Sequence, residues 1–521
     1  MNSLAKKMFK GGIRQYTMLI ALVTIMLVFT ILSKGALLYP MNVSNIISQN
    51  AYVVILAVGM LMCILTGGNI DLSIGAVVGL VMACAGTAMM DWHIDPVIVV
   101  PASILVGILI GAFQGYCIAY VGIPPFIVTL GGMLLFRGIT GMILGGETKS
   151  KFPESFMQLF NGNIPDYFGG AQLFGNNVNV TCVLVGILAA AAYSAWQIIK
   201  SVTRRKKGYE TDHPLALTIK IVVVSAVLLW LFYTMARHHG IPTVLITVGI
   251  VVACYTYITG NMVIGRHLYA LGGNQKAAWL SGVNTKRLMF LAYTNNGFLA
   301  GVAGLVCLAR FTSAFPNAGT GFEMDAIAAC FIGGASAYGG IGTVPGALIG
   351  ALIMGMLNLG MSITGVDQFM QQVTKGLVLL AAVAIDVISK NRYGFEKAAQ
   401  FASWVKELFR PGSREKSIRT RLAGVIVAIL GAAILAIGVY GFVLFPSANA
   451  AGGLLELAQK AAGIKDSGII FTSEQIRQLT LVNSRILITV LGGLGVISGV
   501  LLRLRKHAEQ TPIQTAGDAK S

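Results

Sequence analysis

Charge is scarce in this chain. Asp, Glu, Lys and Arg make up 11% of its 521 residues, against about 25% in ordinary soluble domains. Acidic residues are the rarer kind, with 20 carboxylates against 38 Lys and Arg. The seven cysteines are scattered, several inside apolar runs, and none forms a CxxC pair. That excludes a disulfide framework and a thiolate metal site. No GxxxxGK[ST], HExxH or GxSxG sequence occurs, and metal-ligand types do not cluster. The chain therefore has no visible means of hydrolysing ATP itself, and no catalytic residue, cofactor or metal is expected.

What it has is hydrophobic length. Hydrophobic residues reach 55% and the mean hydropathy is +0.76. Apolar stretches such as 53–65, 97–121, 219–232 and 422–445 recur from residue 16 to residue 504. About 20 such residues cross about 30 Å of hydrocarbon as a helix, whereas a membrane β-barrel would show alternating segments of about ten. The expected fold is all-α and polytopic. The 63 glycines exceed the usual ~7%, and many lie inside apolar runs, where a missing side chain lets helices approach.

A formal charge of +18 invites a nucleic-acid reading, and its placement argues against one. Basic clusters fall at Lys6, Lys7, Lys10 and Arg14; at Arg204, Arg205, Lys206 and Lys207; and at Arg266, Lys276, Lys286 and Arg287. Others fall at Lys390, Arg392 and Lys397; from 406 to 421; and at Arg503, Arg505 and Lys506. Each borders an apolar segment, as cytoplasmic loops do. The partner implied is membrane lipid, with no nucleic acid.

Counting crossings from an inside N-terminus, and reading 16–37 as a retained first span, gives spans near 48–66, 73–92, 97–121, 125–145 and 180–200. The stretch 147–179 then lies outside. Further spans fall near 216–235, 241–260 and 288–309. The stretch 325–389 must cross an odd number of times, through helices near 325–337, 341–362 and 370–388, the first short enough to be broken or re-entrant. Spans near 421–445 and 483–502 bring the total to about 14. Residues 1–390 form a transmembrane core and 391–420 a basic cytoplasmic linker. Residues 421–504 form a two-span extension with an external segment 446–482, and 505–521 a polar, disordered cytoplasmic tail.

Four constellations stand out. Thr66-Gly67-Gly68-Asn69-Ile70-Asp71-Leu72-Ser73 breaks two spans with a diglycine and a carboxylate. Asp71 or Ser73 is either a helix cap or part of a pathway mouth, with Thr66 and Asn69 beside it. Pro124-Pro125 is a second break, read as a helix start, since Pro in the first turn loses no hydrogen bond. The stretch 265–284 is a predicted cytoplasmic loop in which Asn274 caps a short helix carrying Ala277 and Ala278, past Ser281 to Gly282. It is either an interfacial helix or a docking element. The fourth is 321–346, with Glu323, Asp325 and the breaks Gly333, Gly334 and Gly340. Acidic residues at a membrane boundary are expensive unless hydrated, capping or paired, and Asp325 reads as a cap.

In combination and order, 66–75, 125–131, 265–284 and 324–346 resemble the permease subunits of bacterial ABC importers for monosaccharides, over roughly 40–390. The nearest likeness is to the galactose/methyl-galactoside type, with xylose, ribose and multiple-sugar types and the related purine nucleoside permeases as alternatives. The resemblance implies a multi-pass protein of the bacterial cytoplasmic (inner) membrane working with a second permease copy, as a homodimer. An extracytoplasmic solute-binding protein and a sugar-type ABC ATPase subunit would complete it. It further implies that 265–284 carries the coupling helix, contacting the ATPase through Asn274, Ala277, Ala278, Ser281 and Gly282. The translocation pathway or its gate would use Thr66, Asn69, Asp71 and Ser73. The chain departs from the compact pattern in a hydrophobic pair around 180–260 and in the extension past 390. A different class, an ion-coupled secondary transporter, would use Asp71, Asp325 or Asp386. Asp386 is more simply a boundary residue beside Lys390.

Overall fold

The computed structural model describes residues 13–173, 176–208 and 214–390. The linker 391–420, the extension 421–504 with its segment 446–482, the tail 505–521 and the cluster of Lys6, Lys7 and Lys10 lie outside the described residues. Fifteen α-helices are described, besides a 3-10 turn (Ala36–Leu38) and a π-helical segment (Cys117–Val121) that continues the fourth: α1 (Ile13–Leu32), α2 (Pro40–Leu65), α3 (Ile74–Met90), α4 (Pro96–Tyr116), α5 (Pro125–Leu144), α6 (Glu154–Asn161), α7 (Val180–Lys206), α8 (Pro214–Ala236), α9 (Val244–Asn261), α10 (Val263–Gly273), α11 (Gln275–Leu280), α12 (Thr285–Phe311), α13 (Phe322–Ile332), α14 (Val344–Ile363) and α15 (Gln368–Lys390).

Among the described residues, 8 helices are long and apolar enough to cross a membrane. The chain is an all-α, multi-pass membrane protein, as its hydropathy predicts. Two of the expected spans are short for physical reasons. α3 has 17 residues because the break at 66–73 consumes its start. α13 has 11, about 16 Å at 1.5 Å per residue. α1 (20 residues) and α15 (23 residues) have the length of a span.

Several boundaries differ from the sequence reading. α2 begins at Pro40 rather than near 48, with Pro40 opening its first turn and the Ser48 hydroxyl turned back onto the Ser44 carbonyl (3.1 Å) within the helix. α7 runs on through Arg204, Arg205 and Lys206, whose cations suit the carbonyl end of a helix. The stretch 147–179 is more than a loop. It carries α6, a short hairpin of β2 (Ala171–Leu173) and β3 (Asn176–Val178), and β1 (Lys149–Ser150), which pairs antiparallel with β4 (Ser313–Ala314).

The core is built around α2 and α12, which are largely covered by other helices, while α4, α5, α7, α8 and α9 turn most of their apolar side chains outward. α12 meets α4 along a glycine seam. Gly107, Gly111 and Gly115 recur every fourth residue; the first two face Gly297 and Gly301 and the third faces Phe290, so closely that an added Cβ at Gly301 would stand 3.1 Å from the Ile104 Cα. Backbones in contact gain dispersion and leave no room for lipid, the packing that small residues permit in membranes.

Past α12 the chain is irregular, and its course matters. β4 starts beside the far end of α3, where an added Cβ on Gly86 would stand 3.0 Å from the Ala314 side chain. The loop then runs back along α3, placing the Ala318 carbonyl 2.6 Å from such an atom on Gly79, and Gly319 against Gly75. α13 therefore begins level with the first turn of α3, inside the bundle. The first segment expected in 325–389 is thus a short helix preceded by irregular backbone lying along α3.

Candidate functional site

Three polar assemblies interrupt the apolar bundle. The first surrounds the break after α2. Thr66 ends that helix, its hydroxyl donating to the Cys63 carbonyl (2.7 Å) and accepting from the Asn69 amide (3.0 Å). Asp71 is buried and acts as a hub rather than as a simple cap. Its Oδ1 accepts from the Ser73 amide (2.8 Å) and hydroxyl (2.6 Å), and its Oδ2 accepts from Asn296 Nδ2 (2.7 Å) on α12. Ser73 stands at the cap position just before α3 without capping it through its side chain. Its hydroxyl instead accepts from Gln114 Nε2 (2.7 Å) on α4. A chain of hydrogen bonds thus ties α12, the break and α4 together. Thr66, Asp71 and Ser73 are buried among helices, and Asn69 is half-buried.

The second assembly is the first turn of α13, where Glu323 and Asp325 are buried on either side of an exposed Met324. Arg137, from the middle of α5, reaches Glu323 Oε1 at 3.1 Å. Lys375 of α15 reaches Asp325 at 3.1 Å, and Asn358 of α14 donates to the same carboxylate at 3.3 Å. Asp325 is therefore an ion-pair partner inside the first turn and not the expected cap, a position that Gly321 holds. The pairing has a clear cause, since an isolated Arg, Lys or Asp at a membrane helix centre costs about 2.5–3.5 kcal/mol even on the lenient insertion scale.

The third is the stretch expected to dock a partner. Asn274 is extended between α10 and α11, and its Oδ1 accepts from the Ala277 amide (3.0 Å). The Ser281 hydroxyl donates to the Ala277 carbonyl (2.9 Å), and Gly282 turns left-handed (φ 84°) to end the element. Asn274, Ala277, Ser281 and Gly282 are exposed, but Ala278 is buried within the chain and is not presented to a partner. The side chains that do project are Trp279 and Leu280, 63% and 70% exposed. Composition could have found them, because an apolar pair in a basic loop has nothing of its own to pack on.

This third element is fastened to both helix breaks. Gly272 of α10 lies against the Leu65 carbonyl and the Gly340 backbone, leaving no space for a Cβ, and Gly68 lies likewise against the Ala337 carbonyl. The Gly340 amide donates to the Leu65 carbonyl (3.3 Å), and the Tyr269 hydroxyl donates to the Gly342 carbonyl (2.9 Å). Gly333 ends α13, and Gly334 and Gly340 take positive φ in the turn that follows. The Ala337 amide of that turn donates to Asp386 Oδ2 (3.1 Å) on α15. Asp386 thus anchors a turn as well as lying near Lys390. Pro124 and Pro125, by contrast, simply open α5, with Pro125 as its first residue.

Comparison with known proteins bears on what these assemblies serve. The chain is 35% identical over 383 residues to the xylose transport system permease protein of Escherichia coli K12, covering 73% of this chain and 93% of that one. It is 34% identical over 386 residues to the xylose permease of Haemophilus influenzae Rd, covering 74% and 99%. To the ribose import permease protein of Escherichia coli K12 it is 32% identical over 378 residues, covering 72% and 95%. No solved structure matches the chain. A family profile matches residues 42–383, which takes in every assembly described above. The chain belongs to the family described as branched-chain amino acid transport system / permease component, and is a membrane-spanning, non-catalytic transport subunit.

Proposed function

We propose that this chain is the permease of an ATP-driven importer for a pentose, with xylose first and ribose second. The observation that carries the reading is the likeness to the xylose permeases over 93–99% of their length. The galactose/methyl-galactoside reading gives way to it, because the relatives described above carry xylose and ribose. A neutral sugar fits a bundle whose interior charges are compensated, as at Arg137–Glu323 and Lys375–Asp325.

In this reading two copies of the chain enclose the passage in a bacterial cytoplasmic membrane, with the N-terminus inside. A solute-binding protein delivers sugar to the outer face. An ATPase pair binds α10 and α11, with Asn274, Ala277, Ser281, Gly282, Trp279 and Leu280 as the contact surface. Closure of the ATPase pair pushes on this element, and Gly272 passes the movement to the breaks at 66–73 and 333–343. The permease thereby exchanges one packing for another, as bistable helical bundles do. Thr66, Asn69, Asp71 and Ser73 hold the gate from within, since three of the four are buried.

Substrate competition tests the assignment. Cells carrying the chain with its ATPase and binding protein take up radiolabelled xylose in the presence of excess unlabelled ribose, galactose or guanosine. Xylose uptake competed best by xylose and next by ribose supports the pentose reading. Uptake of galactose or guanosine with none of xylose overturns it.

A further inference from the structure

We infer that the first turn of α13, with Arg137 and Lys375 beside it, lines the sugar's passage midway through the membrane. The inference rests on the importer reading and adds a location and a set of residues to it. Non-helical backbone at membrane depth persists only where protein buries it or where it borders water. The loop from Ala314 to Gly319 is such backbone, lying along α3 down to Gly75, and it delivers the start of α13 to the interior of the bundle. What that start presents outward is Met324, 44% exposed, between the two buried carboxylates.

The cations that reach those carboxylates come from mid-helix positions on outward faces. Arg137 is 34% and Lys375 26% exposed, too open for a charge facing hydrocarbon. Their surroundings are open rather than packed. A Cβ added at Gly131 or Gly138 on α5, or at Gly376 on α15, would meet nothing within 4 Å. Arg137, Met324 and Lys375 thus border one water-accessible face, and the second permease copy supplies the opposite wall.

The chemistry of this face suits a neutral polyhydroxylated solute. Each cation is matched by a carboxylate, so the lining offers donors and acceptors without a net field that would hold an ion. A pyranose or furanose presents alternating hydroxyl donors and acceptors, which such a lining can satisfy in turn as packing changes expose it.

Aqueous access to position 324 tests this, in the complete complex reconstituted with ATPase and binding protein. In a Cys254→Ser background, Met324→Cys reacts with a membrane-impermeant maleimide, while Ile246→Cys, on an apolar outward face of α9, does not. Xylose-loaded binding protein with ATP slows the reaction at 324 by at least threefold, and the labelled complex loses at least tenfold in uptake. Met324→Trp loses uptake similarly while keeping the wild-type melting temperature. Should the cysteine variant fail to assemble, Gly138→Cys carries the same expectation. Labelling of 324 no faster than of 246, or wild-type uptake by Met324→Trp, overturns the inference while leaving the importer reading intact. Failure of the unsubstituted complex to take up any sugar would instead overturn that reading, and the labelling pattern still decides whether this face meets water.

Discussion

Asn296 of α12 donates its amide to Asp71 Oδ2 at 2.7 Å across 225 residues of sequence. That bond, with the one from Gln114 to Ser73, makes the break after α2 part of the bundle's core rather than a loop at its edge. Asn296→Ala should remove a donor from a buried carboxylate and cost about 1–3 kcal/mol, read as a lower melting temperature in detergent. Asp71→Asn alone should cost less than Asp71→Ala. The Asn296→Ala/Asp71→Ala double variant should be more stable than the sum of the single losses by at least about 0.5 kcal/mol. Strict additivity would show that the two side chains do not act on each other.

The close approach at Gly272 gives a second prediction with its own control. Gly272→Ala places a methyl group against the Leu65 carbonyl and the Gly340 backbone, neither of which is a flexible side-chain end. Adjacent Gly273 has open space, so Gly273→Ala should transport at the wild-type rate. Gly272→Ala should lose most uptake even when it still binds the ATPase. Equal activity of the two variants would remove Gly272 from the route by which movement reaches the breaks.

The exposed pair Trp279 and Leu280 is expected to carry the affinity for the ATPase. Exposed aromatic anchors at interface centres commonly contribute about 2 kcal/mol or more on truncation, which is roughly a 30-fold rise in Kd. Trp279→Ala should show it in a binding titration with the purified ATPase while leaving the permease's own stability unchanged. Ala278→Asp should act differently, destabilising the permease, because Ala278 is buried within the chain.

Asp166 offers a pH dependence away from the spans. Partial desolvation pushes its carboxyl up, but hydrogen bonds from the Thr181 hydroxyl (2.9 Å) and from the Val180, Thr181 and Phe168 amides outweigh it and hold the group below its ordinary value. A lowered folded value means the stabilisation is complete above the unfolded pKa, about 3.9, and is lost as pH falls through the folded one. Hydrogen exchange at the start of α7 should therefore speed up in strong acid beyond the intrinsic pH effect. Asp166→Asn should abolish that acid-dependent part.

The sequence carried the fold's class and its punctuation. Long apolar runs name the helices, Asn274 three residues before Ala277 marks a cap, and Pro125 and the diglycines mark ends. What it did not carry is which lone polar residues meet. Arg137 and Asn296 each sit inside an apolar run with no local partner, and their carboxylates lie 186 and 225 residues away. Only tertiary packing creates those pairs. Asp71 and Asp325 look like caps because cap positions and ion-pair positions share the same local pattern, a carboxylate just before or inside a first turn. Ala278 was misleading for a related reason, since six residues of helix do not reveal which face turns inward.

Transport as proposed depends on one coupling, in which an ATPase works on α10 and α11. The most direct measurement is radiolabelled xylose uptake into proteoliposomes holding the permease, its ATPase and its binding protein, with ATP or an ion gradient as the only energy source. Uptake with ATP alone, abolished by Trp279→Ala at limiting ATPase, is the expected result. Uptake driven by a proton or sodium gradient without ATP would contradict it.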